Sequence, residues 1–111
     1  MSETLKVVDW SQVPFGRYDP EDGDYNGQKY REEVLVPALK RGAVHVLLDG
    51  TAGYGSSFLE EVFGGLVRVE SFTLEDLKEN LEVSGSGAYA VYEKQVWSYI
   101  NAAVLKAKND A

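Results

Sequence analysis

The chain has 111 residues, a formal net charge of −7 and no cysteine. That length suits one ordinary domain with a modest core. The absent cysteines exclude disulfides and thiolate metal sites. The acidic balance argues against a nucleic-acid partner, whose phosphates require basic residues.

Met1-Ser2-Glu3-Thr4 lacks the basic-then-apolar pattern of a signal peptide, and no apolar run approaches membrane-spanning length. The expectation is a single cytoplasmic domain over 1–111. In chain order, Leu5 to Trp10 reads as a first strand through Leu5, Val7, Val8 and Trp10. Phe15 to Tyr18 reads as a second short strand, because Pro14 disfavours helix before it. Asp19 to Gly27 is a loop with Pro20, Gly23, Asn26 and Gly27 among four acidic residues. From Gln28 to Lys40, Tyr30, Val34, Leu35, Ala38 and Leu39 share one helical face. Pro37 lacks a backbone donor and would clash with the Glu33 carbonyl, which predicts a kink or an early end. Gly42 is the expected C-terminal cap.

Val44 to Leu48 is a short apolar run, the pattern of a strand covered on both faces. A glycine-rich turn follows, with Gly50, Gly53 and Gly55. Ser57 with Glu60 fits a capping box, and Phe58, Leu59, Val62, Phe63, Leu66 and Val67 form the stripe of the helix behind it. Thr73 with Asp76 starts a short helix to Asn80. Leu81 to Val83 is a short strand, and Ser84-Gly85-Ser86-Gly87 a flexible break. A last helix spans about Ala88 to Ala107, with Tyr89, Val96, Trp97, Ile100, Ala103, Val104 and Ala107 at helical spacing. Asn109 to Ala111 is expected to fray. Strands alternating with helices predict an α/β domain, a mixed sheet of about four strands packed with three to four helices. The first strands should be antiparallel and the later ones parallel.

The glycine turn is the first candidate site, because a helix N-terminus favours an anion. Ser56 stands just before the proposed cap, where a phosphate would add about −1.5 to −2 charges. The bland alternative is that both serines only satisfy backbone donors. Asp49 to Leu59 also resembles the first motif of nucleic-acid methyltransferases, which cradles S-adenosylmethionine. Those enzymes need a longer chain and an Asn/Asp-Pro-Pro-aromatic motif, and none of the three prolines here is adjacent to another. A serine-hydrolase elbow fails for want of Gly-x-Ser-x-Gly, and the single histidine, His45, sits in the expected buried strand, so a Ser-His pair is not expected. No lysine follows the glycines, so a nucleotide P-loop fails too.

A second candidate is a calcium loop. Asp22, Asp24 and Asn26, followed by Glu33, match the EF-hand spacing. Pro20 interrupts any entering helix, Lys29 stands where an apolar residue is usual, and there is no second loop to pair with. The alternative is a solvated turn with Glu33 on an exposed helix face. A third candidate is a pair of arginines, Arg17 and Arg31, returning to the glycine turn to help hold an anion, or else making ordinary ion pairs with the acidic loop.

Gly16-Arg17-Tyr18, Asp22-Gly23, Gly27, Tyr30-Arg31-Glu32, Leu48-Asp49-Gly50, Gly53 to Glu61 and Phe63-Gly64-Gly65-Leu66-Val67-Arg68 together resemble the STAS-like domain family of unknown function in bacteria, over about residues 15 to 68. The resemblance implies the fold of STAS domains, the anti-anti-sigma factors and their relatives. In those proteins an Asp-Ser-Ser-Gly motif precedes a helix. Gly55-Ser56-Ser57-Phe58 falls at that place, and Ser56 matches the serine that a partner kinase phosphorylates. Gly55 replaces the acidic residue and Phe58 the glycine.

These readings lead to a non-enzymatic regulatory module without a cofactor. It would bind a protein partner, a histidine-kinase-like ATPase, through Asp49, Gly53, Tyr54, Gly55, Ser56, Ser57 and Phe58, switched by phosphate on Ser56. A small-ligand or anion sensor using the same turn, and a structural or oligomerisation module, are the alternatives.

Overall fold

A computed structural model describes residues 2–19 and 21–109. Pro20, and Asp110 and Ala111 of the expected frayed end, lie outside the described residues. Three parallel strands form one sheet in the order β1 (Glu3–Lys6), β2 (Val44–Leu47), β3 (Leu81–Ser84). Leu5 pairs with Val46, and Val46 with Val83, so β2 is central. A one-turn helix α1 (Val7–Trp10) follows β1 directly. The helix α2 is continuous over 27–41, with α-helical Gly27–Lys29 and Val36–Arg41 on either side of a π-helical stretch, Tyr30–Leu35. The helix α3 covers 56–68 in the same way, with Ser56–Leu59 and Gly65–Arg68 around a π-helical Glu60–Gly64. Then come α4 (Leu74–Asn80) and α5 (Ala90–Asn109), the latter entered through a 3-10 turn at Gly87–Tyr89.

Two of the expected strands differ, and the reasons are local. The first strand stops at Lys6 because Val7 begins a helical turn that Ser11 N–H closes onto the Val7 carbonyl. Phe15 to Tyr18 is not a strand. Its backbone serves helix starts instead: Pro14 O accepts from Gly55 N–H, Gly16 O from Gly27 N–H and Arg17 O from Gln28 N–H. With that segment gone, the sheet has three strands among the described residues, not four. It is wholly parallel rather than mixed. Pro37 does not end α2, which runs on to Arg41. It falls just after the π-helical stretch, where the missing donor is absorbed at the change of register, and Gly42 closes the helix onto Ala38 O as its spacing predicts.

The core follows the sequence stripes. Tyr30, Leu35, Ala38 and Leu39 of α2 are buried against Phe58, Leu59, Val62, Phe63 and Leu66 of α3, while Val96 and Ile100 of α5 close the far side. Val44 and Val46 point into this core, and His45 and Leu47 point away. His45 is therefore a half-exposed face residue rather than a core histidine. Its Nε2 lies 2.7 Å from Ser84 Oγ, so a Ser-His pair does exist, across two strands and away from the glycine turn. The Thr73 side chain accepts from Asp76 N–H and the Asp76 side chain from Thr73 N–H, the capping box that the sequence predicts for α4.

Candidate functional site

The glycine turn joins the C-terminal end of the central strand to α3. In open α/β sheets ligands bind beyond the carboxyl ends of the strands where the strand order reverses, and the order β1-β2-β3 has no such reversal among the described strands. Leu48 N–H donates to Ser84 O, Ala52 N–H to Gln12 O and Gly55 N–H to Pro14 O, so the turn is tied to both neighbouring loops. Gly53 has φ +114, and a Cβ there would meet the Tyr92 hydroxyl at 3.1 Å. Glycine is needed for both reasons. Tyr89 OH donates to Thr51 O and holds the turn from the α5 side.

The cap falls two residues earlier than expected, at Gly55 instead of Ser57. Gly55 is the N-cap and Ser56 the first helical residue, with no side-chain cap. The Ser57–Glu60 capping box does not form, because Ser57 lies inside the helix, past the Gly55 cap, and Glu60 is bonded to Arg17 and Arg68. Ser56 and Ser57 are both exposed. Two members of the expected partner loop are not available to a partner. Tyr54 and Phe58 are core residues, 7% and 1% exposed, and Tyr54 OH donates to Leu48 O at 2.7 Å. Asp49 is bonded to Ser86 through both its backbone N–H and its hydroxyl, which hold the carboxyl below the usual aspartate range. The same bonds, with Gly85 N–H donating to Glu93, order the 84–87 segment that the sequence reads as a flexible break. Of the residues proposed for recognition, Ser56 and Ser57 are exposed and Gly53 and Gly55 partly so.

Arg17 and Arg31 do not return to the glycine turn. They meet Glu60 and Glu61, one turn into α3. Arg31, 2% exposed, donates from Nη1 to the Glu61 side chain at 2.5 Å and to the Glu61 carbonyl at 2.7 Å, and from Nε to Glu70 at 3.0 Å. Burial pulls the Arg31 pKa down, but the bonds to Glu61 and Glu70 raise it further, so the guanidinium stays charged. Arg17 bonds Glu60 and reaches Glu61 at 3.2 Å. Arg68 bonds Glu60 from the other side and Glu61 at 3.3 Å. Burial alone would raise the Glu60 pKa, and the Arg17 and Arg68 hydrogen bonds overcome this and hold it below its ordinary value. The sequence pattern singles out two of these arginines but not their partners. The signal was present in Gly64-Gly65: a Cβ on Gly65 would stand 2.4 Å from Arg31 Nη1, so the glycine leaves room for the guanidinium.

The calcium-loop residues are engaged separately. Asn26 is buried, accepts from Lys29 N–H at 2.8 Å as the cap of α2, and donates to Gly23 O. Asp22 accepts from Tyr18 N–H and Arg17 N–H, bonds that lower its pKa. Asp24 and Glu33 are exposed. Among the described residues no three His, Asp or Glu side chains are grouped to hold a metal ion.

Residues 26–89, more than half of the chain, match the STAS-like domain of unknown function. The chain belongs to that family. No curated protein and no solved structure matches it. The stretch that defines the STAS-like domain starts at the Asn26 cap and ends in the turn entering α5. It includes both π-helical segments, the glycine turn, Arg31, Glu60, Glu61 and Arg68, and it leaves out Arg17 and the acidic loop. No described helix is long and apolar enough to cross a membrane.

Proposed function

We propose that this STAS-like domain is a non-enzymatic regulatory module that docks a protein partner at the start of α3, with Ser56 as phosphoacceptor for a histidine-kinase-like ATPase. The observation that carries the reading is the state of Ser56. It is exposed, it caps nothing, and it lies at the first helical position beyond the central strand. Apolar surface stands beside it: Phe15, 47% exposed, packs so closely on Gly55 that a Cβ there would be 2.8 Å from its ring, and Val13 nearby in sequence is 58% exposed.

The electrostatics of such a switch differ from what the sequence alone suggests. Glu60 and Glu61 are held by arginines and Asp49 by Ser86, so their repulsion of a phosphate at Ser56 is muted. The helix N-terminus favours the added charge within the domain. The penalty then falls on docking, where a partner face fitted to Phe15 and a neutral Ser56 must desolvate a dianion. Incubation with the cognate kinase and ATP should add one phosphate to the intact protein, and Ser56→Ala should stay unlabelled. Absence of any phosphate on the wild-type protein in that assay removes the switch.

A second reading has its own observation. A cleft of about 210 Å³ lies between the turn and α5, lined by Thr51, Ala52, Gly53, Ala88, Tyr89 and Tyr92. A small ligand held there would raise the melting temperature in wild type and Ser56→Ala alike, whereas the phosphoacceptor reading ties the response to Ser56.

A further inference from the structure

Parallel sheets are ordinarily covered on both faces. In this sheet one face only is covered by described elements. Successive parallel connections of one hand put their crossover helices on the same side, and α2 and α3 do lie together there, joined by Arg31 and Glu61. Alternation along the strands turns Leu5, Val44, Val46, Leu81 and Val83 toward that layer. The opposite face carries Thr4 and Lys6 on β1, His45 and Leu47 on β2, and Glu82 and Ser84 on β3. Lys6 is exposed, Glu82 is 71% exposed at its side chain, and Leu47 is partly open at the centre.

We infer that this open sheet face is the contact between two copies of the chain. The argument is the placement of charge. The cation stands on one edge strand beside Leu47, and the carboxylate on the other beside His45, whose Nε2 lies 3.8 Å from it. A two-fold axis running along β2 lays the β1 of one copy over the β3 of the other. That sets Lys6 of each copy diagonally across from Glu82 of its mate, twice, and Leu47 against Leu47. Stacked sheets lie about 10 Å apart, a gap that lysine and glutamate side chains can bridge from both sides. The other two-fold, perpendicular to the strands, lays β1 over β1 and β3 over β3. It brings Lys6 toward Lys6 and Glu82 toward Glu82, so charge selects the first arrangement. The contact is isologous and closes as a dimer. His45 and Ser84 already satisfy one another at 2.7 Å, so this polar pair enters the contact with a hydrogen bond made.

The test is sedimentation equilibrium of the full chain up to about millimolar concentration, since a small polar contact gives affinities in the weaker range. The expected result is a concentration-dependent rise toward twice the chain mass. Lys6→Glu alone and Glu82→Lys alone each weaken the dimer at least about tenfold, because each sets like charges across the contact. The double reversal Lys6→Glu/Glu82→Lys restores it to within about threefold. Both side chains are exposed, and far-UV circular dichroism checks that each variant is folded. Lys6→Gln and Glu82→Gln give the same ranking in milder form. A chain that stays monomeric throughout overturns the inference and leaves the face to a different protein. So does a dimer indifferent to the single reversals, or one that the double reversal fails to restore.

Discussion

Within one turn of α3 the chain passes between two opposite ways of treating a polar side chain. Ser56 and Ser57 stand in solvent and cap nothing. Glu60 and Glu61, a few residues on, are bound by three arginines drawn from the segment after α1, from α2 and from the end of α3 itself. The contrast separates two roles. The helix start is free to be modified or met without disturbing the fold. The next turn is the seam that fixes α2, α3 and the 14–18 segment relative to one another. A free hydroxyl in water costs nothing, whereas a carboxylate or guanidinium out of water has to be matched atom for atom.

Breaking the seam gives the largest expected effect. Arg31→Ala leaves Glu61, 3% exposed, without its closest partner. Removal of one member of a buried pair costs about 3–5 kcal/mol, read as a drop in the urea midpoint. Ser56→Ala, at the free end of the same helix, should change stability by less than about 0.5 kcal/mol. Replacing both charges, Arg31→Met with Glu61→Leu, should recover part of the loss: in Arg31→Ala the buried Glu61 keeps only its longer bonds to Arg17 and Arg68, at 3.2 and 3.3 Å, whereas in the double variant those arginines still have Glu60. If Arg31→Ala proved as mild as Ser56→Ala, the seam would not be what aligns the helices.

Much of this division could be read in the sequence, and what could not has physical reasons. The stripe from Phe58 to Leu66, the Gly42 cap and the Thr73 capping box are local, set by residues three or four apart, and they appear in the fold as their spacing predicts. The Ser57–Glu60 capping box has equally good spacing and fails because the chain enters the helix at the Gly55 cap, which leaves Ser57 inside it, while Arg17 and Arg68 bond the glutamate. Those arginines lie 43 residues before it and eight after. The two π-helical stretches leave no mark in a 3.6-residue periodicity. Phe15 to Tyr18 has the composition of a strand, yet its backbone groups are taken by the starts of α2 and α3. At the glycine turn the loop itself was legible, but not which of its residues face water: Tyr54 and Phe58 belong to an aromatic run through Trp10 and Tyr30 that forms only in three dimensions.

A smaller effect sharpens the same contrast inside the core. The Tyr30 hydroxyl is buried and has no hydrogen-bond partner among the described residues, while the Tyr54 hydroxyl donates to Leu48 O. An unsatisfied buried hydroxyl is a cost, unlike the exposed one of Ser56. Tyr30→Phe should therefore leave stability unchanged or raise it by up to about 1 kcal/mol, and Tyr54→Phe should lower it by about 0.5–1.5 kcal/mol. Thermal melts of the two variants side by side check this. Equal losses would mean that the two hydroxyls are equally engaged.

The smallest effect concerns the outer edge of the seam, where Glu60 is partly exposed and its ion pairs are worth under about 1 kcal/mol. Burial works to raise its pKa, but Arg17 and Arg68 hold it below the ordinary value in the folded state. A lowered folded pKa means that the unfolded chain takes up the proton first as acid is added. The stability from Glu60 is thus fully present above its unfolded pKa of about 4.3, and is lost as pH falls through the folded one. Glu3, Asp22 and Asp49 are lowered too, each by its own bonds, and they give wild type and a Glu60→Gln variant the same acid slope. Urea midpoints of the two proteins at pH 7, where the glutamate is ionised, should differ most. The gap should narrow below about pH 4 as Glu60 becomes neutral in both states. A gap that stayed constant down to acid would place the contribution of Glu60 in packing rather than in charge, and would move the boundary between the free and the bound parts of α3 one residue further along, to Glu61.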